Sequence, residues 1–221
     1  MTATTMTKIS VLIVDDHPAL IAGVRTIIEK TTDIYVIGEA STGMDAEILV
    51  RELHPKIILL DLKIPGFSPS TFERWVRTNY PETVTLVLTA HDRDSYLAAM
   101  MDAGATGYLN KEIGAEQLIL AIRQAAVGSF QFDAAQVSRV ALYKKERESK
   151  LKKLTRRELQ ILKHVTQGTD NNTISNLLCI TRKTVECHIT NILRKLELKS
   201  RHEAITWMFT NFSEKIDIDD V

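Results

Sequence analysis

Four apolar runs in this chain each end on a reactive or polar group. Ile9 to Val14 runs into Asp15-Asp16, Ile57 to Leu60 into Asp61, Val84 to Leu88 into Thr89-Ala90, and Gly107-Tyr108-Leu109-Asn110 into Lys111. Runs rich in Ile, Val and Leu read as parallel strands buried on both faces. Ligands of such open α/β sheets bind just beyond the carboxyl ends of the strands. Three carboxylates, a hydroxyl and an ammonium would therefore converge. Mg²⁺ takes hard oxygen ligands, is usually held by one or two carboxylates and keeps several waters. Asp15, Asp16 and Asp61 supply such a nest. Without a cation they would repel one another. Lys111 offsets part of that charge and could pair with a phosphate, and Thr89 could hydrogen-bond a phosphoryl oxygen. A set of this kind stabilises the charge that spreads over the equatorial oxygens in phosphoryl transfer. Asp61 would be the nucleophile, forming an aspartyl phosphate. Taken singly, an Asp after a strand is commonly a cap or turn residue, and a Lys a solvated charge. The signal is the joint pattern in this order.

The elements that must position these groups follow from periodicity. Strands are expected at 9–14, 34–38, 57–60, 84–88 and 106–109. Helices are expected near 18–30, 43–53, 70–79, 93–102 and 114–127. In the second helix Ala46, Leu49, Val50 and Leu53 share one face. Strand-helix alternation repeated five times implies a doubly wound parallel sheet covered on both faces, in the flavodoxin-like manner.

Charge divides the chain. Residues 1–130 carry 11 Lys+Arg against 16 Asp+Glu, residues 131–211 carry 16 against 8, and residues 212–221 carry 1 against 4. All five prolines, at 18, 55, 65, 69 and 81, lie in the acidic part. A change of charge sign and composition at one place implies two domains with different partners. The expected division is an acidic α/β domain at 8–127, a linker at 128–150, a helical domain at 151–211 and an acidic tail at 212–221. No stretch reaches the length of a membrane span, and the first residues lack the apolar core of a secretion signal, so a cytoplasmic protein is expected. Cys179 and Cys187 make no disulfide framework and are read as reduced and unpaired.

In the basic part the strand signals vanish. Gly128 and Ser129 break the preceding helix, and the charged run 144–150 could be a solvated helix. Thr155-Arg156-Arg157-Glu158 is a capping box ahead of Leu159, Ile161, Leu162 and Val165, and Ser200-Arg201-His202-Glu203 is another. Helices at 171–178 and 182–196 are expected between them, the latter with Val185, Ile189, Ile192, Leu193 and Leu196 inward. That stripe leaves Arg182, Lys183, Glu186, Cys187, Thr190, Arg194 and Lys195 facing away. Basic residues at a helix edge can neutralise phosphates, and central polar ones can reach base edges. A solvated amphipathic helix would show the same pattern.

The acidic part resembles a response-regulator receiver domain. The residues that carry the resemblance are Val-Asp-Asp-His-Pro (14–18), Leu-Leu-Asp-Leu-Lys-Ile-Pro-Gly (59–66), Leu-Thr-Ala (88–90) and Gly-Tyr-Leu-Asn-Lys (107–111). The resemblance implies that Asp61 is the phosphoacceptor and that a histidine kinase is the donor. It implies that Asp15, Asp16 and Asp61 hold Mg²⁺ with the backbone carbonyl of Lys63. By the same resemblance Lys111 pairs with the phosphoryl group, and Thr89 and Tyr108 form a switch pair. Lys63 and His91 would edge the site. Residues 67–71, Phe-Ser-Pro-Ser-Thr, depart from the family's more usual Asp-Gly turn and leave the start of the next helix open.

The basic part resembles a LuxR-type DNA-binding domain. The matching segments are 154–162, Ile174-Ser175-Asn176-Leu177-Leu178, Thr184-Val185-Glu186-Cys187-His188-Ile189, 191–196 and 199–204. The resemblance implies a helix-turn-helix of the NarL/FixJ type, with 182–196 in the major groove of a double-stranded DNA operator. The residues implied in DNA contact are Arg182, Lys183, Thr184, Glu186, Cys187, His188, Thr190, Asn191, Arg194, Lys195, Lys199 and Arg201. The implied protein is a two-component transcription regulator that dimerises when active and acts as no enzyme beyond its own phosphoryl transfer. Glu186 stands where many members carry Lys; Glu accepts from cytosine N4 and is repelled by phosphates, so an unusual operator preference is expected. Two other readings stay open. One is a DNA binder that needs no phosphate. The other is a Mg²⁺-dependent phosphotransferase of the haloacid-dehalogenase type, although its usual second Asp is Lys63 here.

Overall fold

The computed structural model describes residues 8–211; the expected acidic tail, 212–221, lies outside the described residues. The first unit, Met1–Val140, alternates strand and helix. Its strands are β1 (Ile9–Val14), β2 (Ile34–Ala40), β3 (Ile57–Leu60), β4 (Val84–Thr89) and β5 (Gly107–Asn110). Its helices are α1 (Pro18–Ile28), α2 (Gly43–Leu53), α3 (Pro69–Asn79), α4 (Asp94–Ala103) and α5 (Ala115–Ala126). The strands form one parallel sheet in the order β2-β1-β3-β4-β5.

Alternate strand residues point to opposite faces. Val11, Ile13, Ile57, Leu59, Leu86 and Leu88 pack with Val24 and Ile28 of α1 and with Leu118, Ile119 and Ile122 of α5. The opposite face meets α2, which approaches so closely that a Cβ at Gly38 would stand 2.8 Å from the Leu53 side chain. β1 pairs with β3 on one side and β2 on the other, so the connection direction reverses there. The crevice at such a switch point is where an open α/β sheet binds its ligand, and Asp15 and Asp61 sit at its rim.

The Phe-Ser-Pro-Ser-Thr segment leaves α3 well defined. Pro69 occupies its first turn, where the missing N–H has no helical partner to lose, and Ser68 and Thr71 share a hydroxyl contact of 2.8 Å.

The segment expected as a linker is ordered. Gln131 bridges to Gly107 of β5, and α6 (Ala134–Lys152) fills most of the remainder. Asp133 and Gln136 cap α6 reciprocally, each accepting from the other's backbone N–H at 2.7 and 3.1 Å. The division into units falls inside this helix, after Val140.

The second unit adds α7 (Arg156–Thr166), α8 (Asn171–Leu177), α9 (Arg182–Leu196) and α10 (Arg201–Asn211). Its core is Leu159, Ile161, Leu162, Val165, Ile174, Val185, Ile192, Leu196, Ala204 and Met208, with Ile189 and Leu193 packed against it. Each helix starts on a local cap. Thr155 and Glu158 form the full capping box, Asp170 accepts from Asn172 and Thr173, and Thr181 accepts from Thr184. Ser200 accepts from Glu203, but Glu203 accepts in turn from the N–H of Lys199 rather than that of Ser200. Among the described residues no helix is long and apolar enough to cross a membrane.

Candidate functional site

Strand ends place the reactive groups. Asp15 and Asp61 follow β1 and β3 directly, and each is 2% exposed. Asp61 Oδ1 accepts from the N–H of Leu62 at 2.8 Å, which turns Oδ2 toward Lys111. The Lys111 Nζ lies 2.7 Å from Asp15 Oδ2 and 3.1 Å from Asp61 Oδ2. One ammonium thus holds two buried carboxylates that would otherwise repel.

Asp15, Asp16, His17 and Asp61 offer ligand atoms that all lie within 4.8 Å of one another. His17 is the member that sequence reasoning passed over. Its backbone N–H donates to Asp15 Oδ1 at 2.8 Å, and its ring Nδ1 lies 3.0 Å from Asp15 and 2.8 Å from Asp16. The signal was available, since a histidine directly after Asp-Asp must share their turn. Lys63 is exposed two residues beyond Asp61.

Thr89 ends β4 and is buried. Its hydroxyl oxygen accepts from the N–H of His91 at 3.2 Å, and the carbonyl of His91 accepts from the Tyr108 hydroxyl at 2.5 Å. Tyr108 is itself buried, at 4% exposure. Burial, with the Asp92 charge adding to it, holds this phenol well above its ordinary pKa, so the hydroxyl stays a donor. The two residues expected as a switch pair are therefore joined through one backbone residue, His91.

In the second unit α9 exposes Arg182, Lys183, Glu186, Cys187, Thr190 and Arg194, while Thr184, His188 and Asn191 are half-buried. Several of these are already engaged. Arg182 Nε donates to Glu186 at 2.9 Å, one turn along. Thr184 shares a hydroxyl contact with Thr181 at 2.8 Å, and Thr190 donates to the Glu186 carbonyl at 3.0 Å. Asn191 accepts from Arg194 at 3.3 Å. Lys199 is exposed.

Two basic residues expected at phosphates have internal partners. Lys195 Nζ donates to Glu158 Oε2 at 2.6 Å. Arg201 donates to Asn171 Oδ1 at 2.7 Å and to the Thr169 carbonyl. Burial works against the Glu158 charge, but the Lys195 ammonium and the Thr155 donors outweigh it and leave the carboxyl below its ordinary pKa.

The family described as "Response regulator receiver domain" matches residues 11–123, and the family described as "Bacterial regulatory proteins, luxR family" matches residues 152–208. The chain belongs to the response regulators. "Nitrate/nitrite response regulator protein NarP" of Escherichia coli (strain K12) is 39% identical over 201 residues, covering 88% of this chain and 92% of the relative. "Nitrate/nitrite response regulator protein NarL" of the same strain is 35% identical over 203 residues, covering 90% and 94%. A solved structure of the RcsB response regulator from Salmonella typhimurium shares the fold, with a TM-score of 0.65 at 20% identity, covering 91% of this chain and 99% of that one. These relatives make this a NarL/FixJ-type response regulator, with a receiver and a LuxR-type DNA-binding domain. Response regulators work with histidine kinases and bind DNA. Their receivers bind Mg²⁺ at an acidic cluster, and the oxygen-rich set at the ends of β1 and β3 is such a cluster.

Proposed function

We propose that this response regulator accepts a phosphoryl group on Asp61 from a partner histidine kinase and uses it to control DNA binding by α9. The observation that carries the reading is the buried Asp61 carboxylate, with Lys111 Nζ bridging it to Asp15. An Asp61 oxygen attacks phosphorus, the O–P bond forms as the N–P bond to the kinase imidazole breaks, and that imidazole takes a proton from solvent. Asp15, Asp16 and Asp61, with the backbone carbonyl of Lys63, would hold Mg²⁺. When bound, the ion supplies positive charge to the transferring oxygens. Lys111 moves from the carboxylate pair to the phosphoryl group and neutralises it. Thr89 turns its hydroxyl to a phosphoryl oxygen, and the linkage through His91 carries that change to Tyr108.

On DNA, Arg182, Lys183 and Arg194 neutralise phosphates, while Glu186, Cys187 and Thr190 face base edges. Thr184, His188, Asn191, Lys199 and Arg201 complete the contact set, and Lys195 joins it only by leaving Glu158. Phosphorylation shifts a pre-existing equilibrium toward a homodimer that reads two half-sites about one helical turn apart. The cytoplasm is where such a protein meets DNA and the kinase.

The test treats wild type and Asp61→Ala with Mg²⁺ and a small phosphodonor over a random-duplex library. A gain of phosphoryl mass on wild type alone, with enrichment of a two-half-site sequence strengthened by the donor, is the expected result. Equal enrichment by both proteins would establish phosphate-independent regulation instead.

A further inference from the structure

The start of α6 is fastened to the segment that runs from Thr89 into α4. Arg139 lays its guanidinium fork across Asp92, with Nη1 and Nη2 each donating at 2.9 Å. The same group reaches Asp94 at the first turn of α4, with Nε donating at 2.8 Å. Gln136, which caps the helix through Asp133, also donates its Nε2 to the backbone carbonyl of Tyr108 at 3.0 Å. Three residues of the phosphoryl-responsive segment and strand, Asp92, Asp94 and Tyr108, are therefore held by side chains from α6, at separations of 28 to 47 residues.

These contacts join a chain that begins at the phosphoryl site. The Thr89 hydroxyl accepts from His91, and the His91 carbonyl holds Tyr108. Asp92 follows His91 directly. A bidentate pair requires both carboxylate oxygens in the plane of the fork, so a small displacement of residues 91–94 weakens it.

We infer that the first two turns of α6 form a latch on this segment, with Arg139 and Gln136 as positioning residues that phosphorylation loosens. The inference rests on the reading of Asp61 as phosphoacceptor. When Thr89 turns to a phosphoryl oxygen, His91 loses its acceptor and the following residues shift. Asp92 and Asp94 then leave the Arg139 fork. Because α6 continues to Lys152, the covalent connection to the DNA-binding domain is released at its receiver end. Coupling between binding equilibria is reciprocal. A protein without the latch must therefore favour the phosphoryl-bound state by the factor by which that state loosens the latch.

The test uses the full chain with Mg²⁺, with and without beryllium trifluoride as the phosphoryl mimic. Hydrogen exchange of the amides at 137–143 and calorimetric affinity for the mimic are the two readouts. An exposed bidentate ion pair sets the scale at about fivefold. In wild type the mimic should raise exchange at 137–143 about fivefold. Arg139→Ala should show that raised exchange without the mimic and bind the mimic about fivefold more tightly. The double variant Asp92→Asn/Asp94→Asn should behave alike, and it carries the comparison if Arg139→Ala does not fold. Binding of the mimic by wild type with unchanged exchange, or wild-type affinity in both variants, overturns the latch alone. No binding of the mimic by wild type overturns the phosphoacceptor reading, and the latch with it.

Discussion

Glu73 lies on α3 with no solvent exposure, and neither carboxylate oxygen has a hydrogen-bond partner. The neighbouring Thr85 hydroxyl is also buried outside hydrogen-bonding geometry. Burial pushes the carboxyl up from 4.5 to about 7, with Thr85 and Arg77 opposing the shift. Between those values the native protein binds more protons than the unfolded chain. Stability therefore falls as pH rises from 4.5 toward about 7 and levels off above it. At about 1.4 kcal/mol per unit, the ionised side chain costs roughly 3 kcal/mol at pH 8. Glu73→Met removes the titrating group at similar volume. It should gain roughly 3 kcal/mol at pH 8 and far less near pH 5, where the native carboxyl is already neutral. The assay is urea unfolding at both pH values in a Trp207→Phe background, so that Trp75, on the same helix, reports on the receiver. The quantity read is the variant-minus-wild-type difference, which cancels other titrating groups. An equal difference at the two pH values would refute the reasoning, because it would mean that Glu73 ionises as an ordinary carboxylate.

Other expectations follow from single contacts. Lys111→Met leaves Asp15 and Asp61 unneutralised; the receiver should lose roughly 1–3 kcal/mol without Mg²⁺ and recover much of it when Mg²⁺ is added, as thermal melts would show. Lys195→Ala strands the buried Glu158, so unfolding of the DNA-binding domain should show a loss of roughly 2 kcal/mol; stability equal to wild type would assign Lys195 to DNA alone. The Glu158 carboxyl lies below its ordinary pKa, so its stabilisation is present above pH 4.5 and lost as pH falls through the lowered value. Glu186→Gln frees Arg182 for a phosphate and removes a negative charge from the DNA-facing side of α9. DNA binding titrated against salt should tighten and gain about one unit of slope, and Glu186→Lys should also change operator selectivity.

Much of this architecture is legible in local sequence. Continuous Ile/Val/Leu runs mark the central strands because both of their faces are buried, and α9 keeps its expected bounds because a cap and an apolar stripe coincide there. The carboxylates, Thr89 and Lys111 are legible because sheet topology brings strand ends together whatever the loops do. What stays hidden depends on partners distant in sequence. Glu73 sits between Phe72 and Arg74 and looks like a solvated helix residue; only packing reveals its burial. Arg139 looks like one more charge in a basic linker until Asp92 and Asp94 are placed beside it. Lys195 and Arg201 have the residue type of a phosphate contact, and neither Glu158 nor Asn171 is near them in the chain. In the segment 128–150 the break at Gly128-Ser129 and a solvated helix over 144–150 are legible, but the helix start at Ala134 is not, because the contacts that order it lie on β5 and at Asp92 and Asp94.

The helix starts divide the two units in a way that bears on how the chain is made. Every helix from α7 to α10 begins on a side chain within three residues of its partner. In the receiver α1, α3, α4 and α5 lack any side-chain bond to a first-turn backbone N–H, and α2 has one from Thr42. There, order comes from parallel strands paired across long stretches of chain, such as Val11 with Ile57. Local contacts form fast, whereas long loops must close before distant strands gain by pairing. After dilution from denaturant the DNA-binding domain should therefore reach its native fold ahead of the receiver. For that interval the refolding population should hold DNA without answering to a phosphodonor.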